Sequence, residues 1–121
     1  MSKTVMIVDD SASLRQVVKM ALNGAGYNVI EAADGKAALG LLDGRQVNMV
    51  VCDVNMPVMN GIEFVREAKK LAAYKFMPIL MLTTESQEAK KEEGRAAGAK
   101  AWMVKPFSPT QLVAAVNKLC M

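Results

Sequence analysis

At 121 residues the chain is long enough for one hydrophobic core and too short for a core plus an appended effector module, so residues 1–121 are expected to form a single domain. Its 52% hydrophobic and 22% charged content is that of a water-soluble protein. No apolar run approaches the ~20 residues that cross a bilayer, and MSKTVMIVDD turns acidic too soon for a signal peptide, which points to the cytoplasm. A net charge of +3 arises from 15 basic residues scattered among 12 acidic ones, without the basic stripe and aromatics of a nucleic-acid binder, and the absence of histidine excludes imidazole catalysis.

Residues 4–8 (TVMIV) read as a strand that is apolar on both faces and therefore central. It ends on Asp9-Asp10. Ser11 or Ser13 then caps a helix whose Leu14, Val17, Val18, Ala21, Leu22 and Ala25 recur at the spacing of one apolar face, and Gly24-Ala25-Gly26 closes it. Residues 28–32 (NVIEA) form a more polar strand, expected at the sheet edge. Asp34 caps a short helix with Ala38, Leu41 and Leu42 inward, ended by Gly44.

The run 48–53 is a buried strand that breaks abruptly on Asp53, after which Pro57 and Asn60-Gly61 force a turn. Asn60 caps a helix to about Ala72, burying Ile62, Val65, Ala68 and either Leu71 or Ala72. Pro78 opens a strand that finishes on Thr83. The helix at 87–97 has little beyond Ala89, Ala96 and Ala97 to bury, and Gly94 weakens its interior, so it should move cheaply. Residues 101–105 (AWMVK) form the last strand. Ser108-Pro109-Thr110-Gln111 matches a capping box with proline at the first helical position, and Leu112, Ala115, Val116, Leu119 and Cys120 face inward. Strand and helix thus alternate five times, which implies a doubly wound parallel sheet joined by right-handed crossovers. Cys52 and Cys120 have no framework or metal-ligand spacing and read as packing residues.

Chemistry collects at the C-terminal ends of the strands: Asp9 and Asp10, Asp53, Thr83 and Lys105. Each alone has an ordinary explanation, as a cap, a turn residue or a solvated charge. Together they do not, because none falls at the opposite strand ends. Tips of neighbouring parallel strands lie ~4.8 Å apart and converge on the crevice where open sheets bind ligands. Carboxylates that close repel by ~4 kcal/mol per pair at an effective dielectric near 20, so they need a cation. Oxygen ligands without sulfur or imidazole favour Mg²⁺. A cation, the ammonium of Lys105 and the hydroxyl of Thr83 suit the equatorial oxygens of a phosphoryl group, and a carboxylate is a competent nucleophile for it.

The motifs VDDS at 8–11, DVNMPVMNG at 53–61, LTT at 82–84 and KPF at 105–107 resemble those of receiver domains of two-component response regulators, in particular the stand-alone, CheY-like chemotaxis regulators. The resemblance spans essentially the whole chain. It implies a flavodoxin-like sheet of strand order 2-1-3-4-5. It makes Asp53 the phosphoryl acceptor, served by a phosphohistidine on a partner kinase. Mg²⁺ would be held by Asp10, Asp53 and the backbone carbonyl of Asn55, with Asp9 acting through water. Lys105 would pair with the acceptor and then with the phosphate, and the Lys105-Pro106 bond would be cis. Thr83 corresponds to the switch hydroxyl, and Trp102 stands where the family usually carries a Tyr or Phe that turns inward. Asn55, Thr84 and Glu85 would tune the lifetime of the phosphorylated form. Two departures are Trp102 itself, bulkier than the usual tyrosine, and Ser11, where some relatives have an aromatic.

The expected mechanism is a population shift: a charge of ~−1.5 to −2 on Asp53 recruits Thr83 and Lys105 and changes the face built from 87–97, Trp102 and 108–120. The implied partners are a CheA-type histidine kinase, a flagellar motor switch protein or other protein target on that face, and a possible phosphatase, with no nucleic acid or membrane. The protein is thus expected to be a signalling phosphoprotein whose only catalysis is its own phosphorylation and dephosphorylation. Other roles in the same class are a phosphate sink or phosphorelay intermediate. An aspartate-nucleophile phosphohydrolase of the haloacid dehalogenase type is a remoter alternative, since Asp53-Val54-Asn55 has an amide where the second carboxylate belongs. No G-x-G-x-x-G follows the first strand, which leaves a dinucleotide site without support.

Overall fold

The unbroken apolar runs of the sequence become the inner strands of a five-stranded sheet in a computed structural model that describes residues 3–84 and 90–120. Strands β1 (Thr4–Val8), β3 (Met49–Asp53) and β4 (Ile79–Thr83) are flanked by β2 (Asn28–Ala32) and β5 (Ala101–Val104). All pairings are parallel and the order is β2-β1-β3-β4-β5, as expected from the resemblance. The register sets Val8 opposite Cys52, Asp53 opposite Leu82, and Thr83 opposite Val104. The strands therefore end nearly level, and the residues that follow them share one rim.

Alternation along the strands divides the core in two. Met6, Val8, Val50, Cys52, Ile79 and Met81 point to the side covered by α2 (Gly35–Leu41), α3 (Gly61–Lys69) and α4 (Lys90–Ala97). Val5, Ile7, Met49, Val51, Leu80 and Leu82 point to the side covered by α1 (Ala12–Gly24) and α5 (Pro109–Leu119). Ser11, rather than Ser13, caps α1, with its hydroxyl accepting from Leu14 N. Asn60–Glu63 and Ser108–Gln111 form full capping boxes on α3 and α5, and Pro109 occupies the start of α5.

Three packing expectations are corrected. Val17 is 50% exposed and Ala25 is exposed, because α1 meets the sheet only along the stripe through Leu14, Val18 and Leu22. Leu71 and Ala72 are exposed, because α3 stops at Lys69 and Leu71 adopts an extended backbone before a 3-10 turn over Ala72–Tyr74. Their inward place is taken by Phe64, fully buried, and by Tyr74, whose hydroxyl donates to Arg45 O at 2.7 Å and accepts from Gly44 N at 2.9 Å. On α4 the expected anchor Ala96 is exposed, whereas Gly94 is buried. Residues 87–89 of that expected helix, Ala89 included, lie outside the described residues, and Lys105 follows the last strand instead of ending it.

Replacing Phe64 by Ala is expected to lower stability by about 3–5 kcal/mol, whereas Val17→Ala, at a position the sequence pattern places on the inward face, is expected to stay within about 0.5 kcal/mol. Urea denaturation of the two variants checks the contrast.

Candidate functional site

The rim is assembled from the ends of four strands, in three parts. The first is the end of β1, held from several directions. Asp9 N donates to Ala32 O at 3.1 Å, so the chain stays in the sheet one residue past the strand. Its carboxylate is 1% exposed and accepts from Ser11 N at 2.8 Å through Oδ1. Arg15, one turn into α1, donates from Nη1 to Asp9 O at 2.5 Å and from Nε to Glu31 at 3.2 Å, fastening β1, β2 and α1 together. Asp10 is exposed.

The second is the end of β3, where Asp53 is buried and the chain doubles back at once: Val54 N still donates to Leu82 O at 3.2 Å, and Gly61 N donates to Val54 O at 2.9 Å. This return needs glycine, since a Cβ at position 61 would stand 2.1 Å from Asp53 O. Between them Val58 has φ +67° and Met59 N donates to Pro57 O at 2.7 Å, a γ-turn that closes the loop over Asp53. Asn55 is exposed on this loop.

The third is the β4–β5 side. Thr83 is 1% exposed and its Oγ1 has no hydrogen-bond partner among the described residues. Lys105 N donates to Thr83 O at 2.6 Å, and the Lys105-Pro106 bond is cis, as expected. From here the Lys105 ammonium reaches across the rim to Asp53 Oδ1 at 3.1 Å and Asp9 Oδ2 at 3.3 Å. Thr84 is half-buried beside it, and Glu85 lies outside the described residues.

The geometry therefore brings the carboxylates of Asp9, Asp10 and Asp53 and the ammonium of Lys105 to one place, with carboxylate oxygens of the three acids within 4.8 Å of one another, and Thr83 adjoins them through the bond from Lys105 N to its backbone carbonyl. Crowding shows in their acidities. Burial first, then Asp9, push the Asp53 pKa above its ordinary value in spite of Lys105. Burial by itself would lower Lys105, but Asp53 and Asp9 outweigh it, so the ammonium is held charged more firmly than usual. The three acids, all hard oxygen donors, have the number and closeness of ligands that a divalent cation takes, and their mutual repulsion is relieved by one. Trp102 stands apart from the charges on β5, half-buried, with the Arg95 guanidinium 4.9 Å from its ring centroid. Arg15 and Gly61 were not singled out by sequence. The first gives no signal beyond a cation one turn after an acidic pair, and the second is visible only as half of an Asn-Gly turn.

The model of the response regulator receiver domain family matches residues 5–117. Among curated proteins the chain is 38% identical over 112 residues to the phosphate regulon transcriptional regulatory protein PhoB of Pseudomonas aeruginosa, covering 93% of this chain and 49% of that one. It is also 38% identical over 120 residues to the alkaline phosphatase synthesis transcriptional regulatory protein PhoP of Bacillus subtilis, covering 98% and 49%. The chain thus spans about half the length of these relatives. Among solved structures it is similar to the chemotaxis response regulator CheY4 of Vibrio cholerae, with 47% identity, a TM-score of 0.93, and coverage of 98% of this chain and 99% of that one.

Because the folded-state pKa of Asp53 is raised, its contribution to stability is fully present below the unfolded value and is lost as pH rises through the folded one. Asp53→Asn is therefore expected to raise the melting temperature of the metal-free protein at neutral pH, and the gain is expected to vanish near pH 3, below the ordinary aspartate pKa of about 3.9. Thermal melts of both proteins in a chelating buffer across that range check the sign.

Proposed function

The chain belongs to the response regulator receiver domain family, and from that membership we propose that it is a phosphorylation switch in which Asp53 takes a phosphoryl group from a phosphohistidine of a partner kinase. An Asp53 carboxylate oxygen attacks phosphorus, the N–P bond breaks, an acyl phosphate forms, and the departing imidazole nitrogen takes up a proton from water. The observation that carries this reading is the ammonium of Lys105, 3.1 Å from Asp53, beside a second and a third carboxylate. In such an arrangement the ammonium offsets part of the burial and carboxylate repulsion that oppose ionisation of the nucleophile, fixes it in place, and leaves a cation where the phosphoryl oxygens arrive.

We assign Asp9, Asp10 and Asp53, with the backbone carbonyl of Asn55, to holding Mg²⁺, Asp9 acting through water. When bound, the ion supplies positive charge to the phosphoryl oxygens. The chain's own groups do the rest. Lys105 exchanges its bond to Asp53 for one to a phosphoryl oxygen, and Thr83, whose hydroxyl has no partner among the described residues, turns to donate to another. Asn55, Thr84 and Glu85 border the path of the hydrolytic water and set how long the acyl phosphate lasts. The protein acts catalytically on itself alone, in the cytoplasm.

The output is a changed protein-binding face on α4, Trp102 and α5. A CheA-type histidine kinase upstream and a flagellar motor switch protein downstream are the partners we favour, because the similarity to the chemotaxis regulator extends over nearly the full length of both chains. A phosphatase, a phosphate sink role or a phosphorelay role fits the same chemistry. A second reading, the receiver portion of a longer transcriptional regulator, is favoured by the curated relatives at 38% identity.

Incubation with Mg²⁺ and acetyl phosphate is expected to add one phosphoryl mass to the wild type and none to Asp53→Asn, read by intact mass spectrometry. Equal labelling of both overturns the assignment of Asp53. Deleting the gene and scoring swimming reversals separates the partners: unchanged reversals overturn the motor reading and leave the phosphorylation chemistry intact.

A further inference from the structure

We propose that Gly94 and Arg95 of α4 are positioning residues for Trp102: the guanidinium of Arg95 holds the indole in its resting place, and the missing side chain of Gly94 leaves the room into which it turns. The inference rests on the reading of Thr83 and Trp102 as a switch pair and adds what governs the pair in this chain.

Three observations meet here. Arg95 lies over the Trp102 ring at 4.9 Å and is steadied within its own helix by Glu92 at 3.6 Å, so a cation covers the aromatic face from α4. Gly94, the preceding residue, sits in a helix interior where glycine is disfavoured about fivefold relative to alanine. Crowding does not demand it, because a Cβ at position 94 would meet nothing within 4 Å among the described residues. What glycine leaves behind is space. Gly94 borders a narrow seam, too constricted for a water molecule, shared with Val54, Ile62, Met81, Thr83, Lys91 and Trp102.

The seam and the Thr83 hydroxyl have complementary needs. An apolar space without water forfeits packing on every wall, and a buried hydroxyl without a partner forfeits a hydrogen bond. Both are relieved by one exchange, in which the hydroxyl turns toward the phosphoryl site and the indole moves into the widened seam. Arg95 opposes that exchange, since the indole must leave its stack. The balance between the guanidinium and the seam thus fixes how much of the resting protein already has Trp102 turned in.

The single tryptophan makes this measurable by ¹⁹F NMR of protein labelled with 5-fluorotryptophan, at rest and with Mg²⁺ plus beryllofluoride as the phosphoryl mimic. In the resting protein Arg95→Ala is expected to shift the indole populations about two- to fivefold toward the state that beryllofluoride enriches, equivalent to about 0.5–1 kcal/mol. Arg95→Lys, which keeps the charge and loses the planar stack, is expected to fall between. Gly94→Ala is expected to melt higher than the wild type and to lose most of the beryllofluoride-induced ¹⁹F change while intact mass still reports phosphoryl uptake from acetyl phosphate. An Arg95→Ala spectrum identical to the wild type at rest, or a Gly94→Ala protein that responds as the wild type does, overturns the inference. A wild type with no ¹⁹F response to beryllofluoride overturns the switch reading instead, and the resting spectra of the Arg95 variants still decide the role of Arg95.

Discussion

The ammonium of Lys105, suspended between Asp53 and Asp9, is the interaction on which the arrangement of the rim depends. Two buried carboxylates and an exposed third cannot share so small a volume in water-poor surroundings without opposing charge; at an effective dielectric near 20 each like-charged pair about 4 Å apart costs about 4 kcal/mol. One lysine compensates two of them incompletely, which is why Asp53 remains harder to ionise than an ordinary aspartate. The site is therefore built with a deficit of positive charge. The fit of the three carboxylates to a divalent cation and the incomplete balance between carboxylate and ammonium are two consequences of the same crowding.

The crowding follows from topology. Sequence neighbours do not create it, since Asp9, Asp53 and Lys105 are far apart along the chain. Placing β1 beside β3 and β4 beside β5 in a parallel sheet makes the tips level, and the order β2-β1-β3-β4-β5 puts the two acidic tips next to each other. Each tip is then fixed by backbone bonds rather than by its own side chain: Asp9 N to Ala32 O, Val54 N to Leu82 O, and Lys105 N to Thr83 O. The last of these ties the cation's loop to the carbonyl of the residue whose hydroxyl is unpartnered. A displacement of Lys105, such as the proposed phosphoryl transfer would require, would consequently be felt at Thr83 through a single hydrogen bond.

Much of this was legible beforehand, because the signals were periodic or punctuated. Buried strands announced themselves as apolar runs ending on a polar residue, and the caps at Asn60 and Ser108 were readable as local chemistry, while that of α1 was narrowed to Ser11 or Ser13. What was not legible depended on where a helix meets its neighbour. Val17 satisfies the helical spacing as well as Val18 does, and only the width of the contact between α1 and the sheet separates them. Leu71 belongs to an apolar pattern that the backbone abandons at Lys70, leaving Tyr74 to fill the site by reaching Gly44 and Arg45. In the site, residue types at strand ends identified Asp53, Thr83 and Lys105. No pattern identified Arg15, whose role is a bond to a backbone carbonyl, or the stacking of Arg95 on Trp102, which joins a helix to an edge strand.

The buried, unpartnered hydroxyl of Thr83 bears on how a small covalent change could have a large effect. Moving a two-state ensemble from 1:99 to 99:1 takes about 5.5 kcal/mol of differential stabilisation. A charge-assisted hydrogen bond contributes about 1.5–3 kcal/mol, and a resting protein in which Thr83 already had a good partner would lose that bond on switching. Because it has none among the described residues, nearly all of a new bond to a phosphoryl oxygen would favour the switched form of the proposal. The hydroxyl without a partner among the described residues lies in the core, next to the one helix whose described residues bury only Gly94. If Thr83 is the switch hydroxyl, it would carry its share of the free-energy difference before any phosphoryl group arrived, and the phosphoryl group would have only to supply the acceptor that the hydroxyl lacks among the described residues.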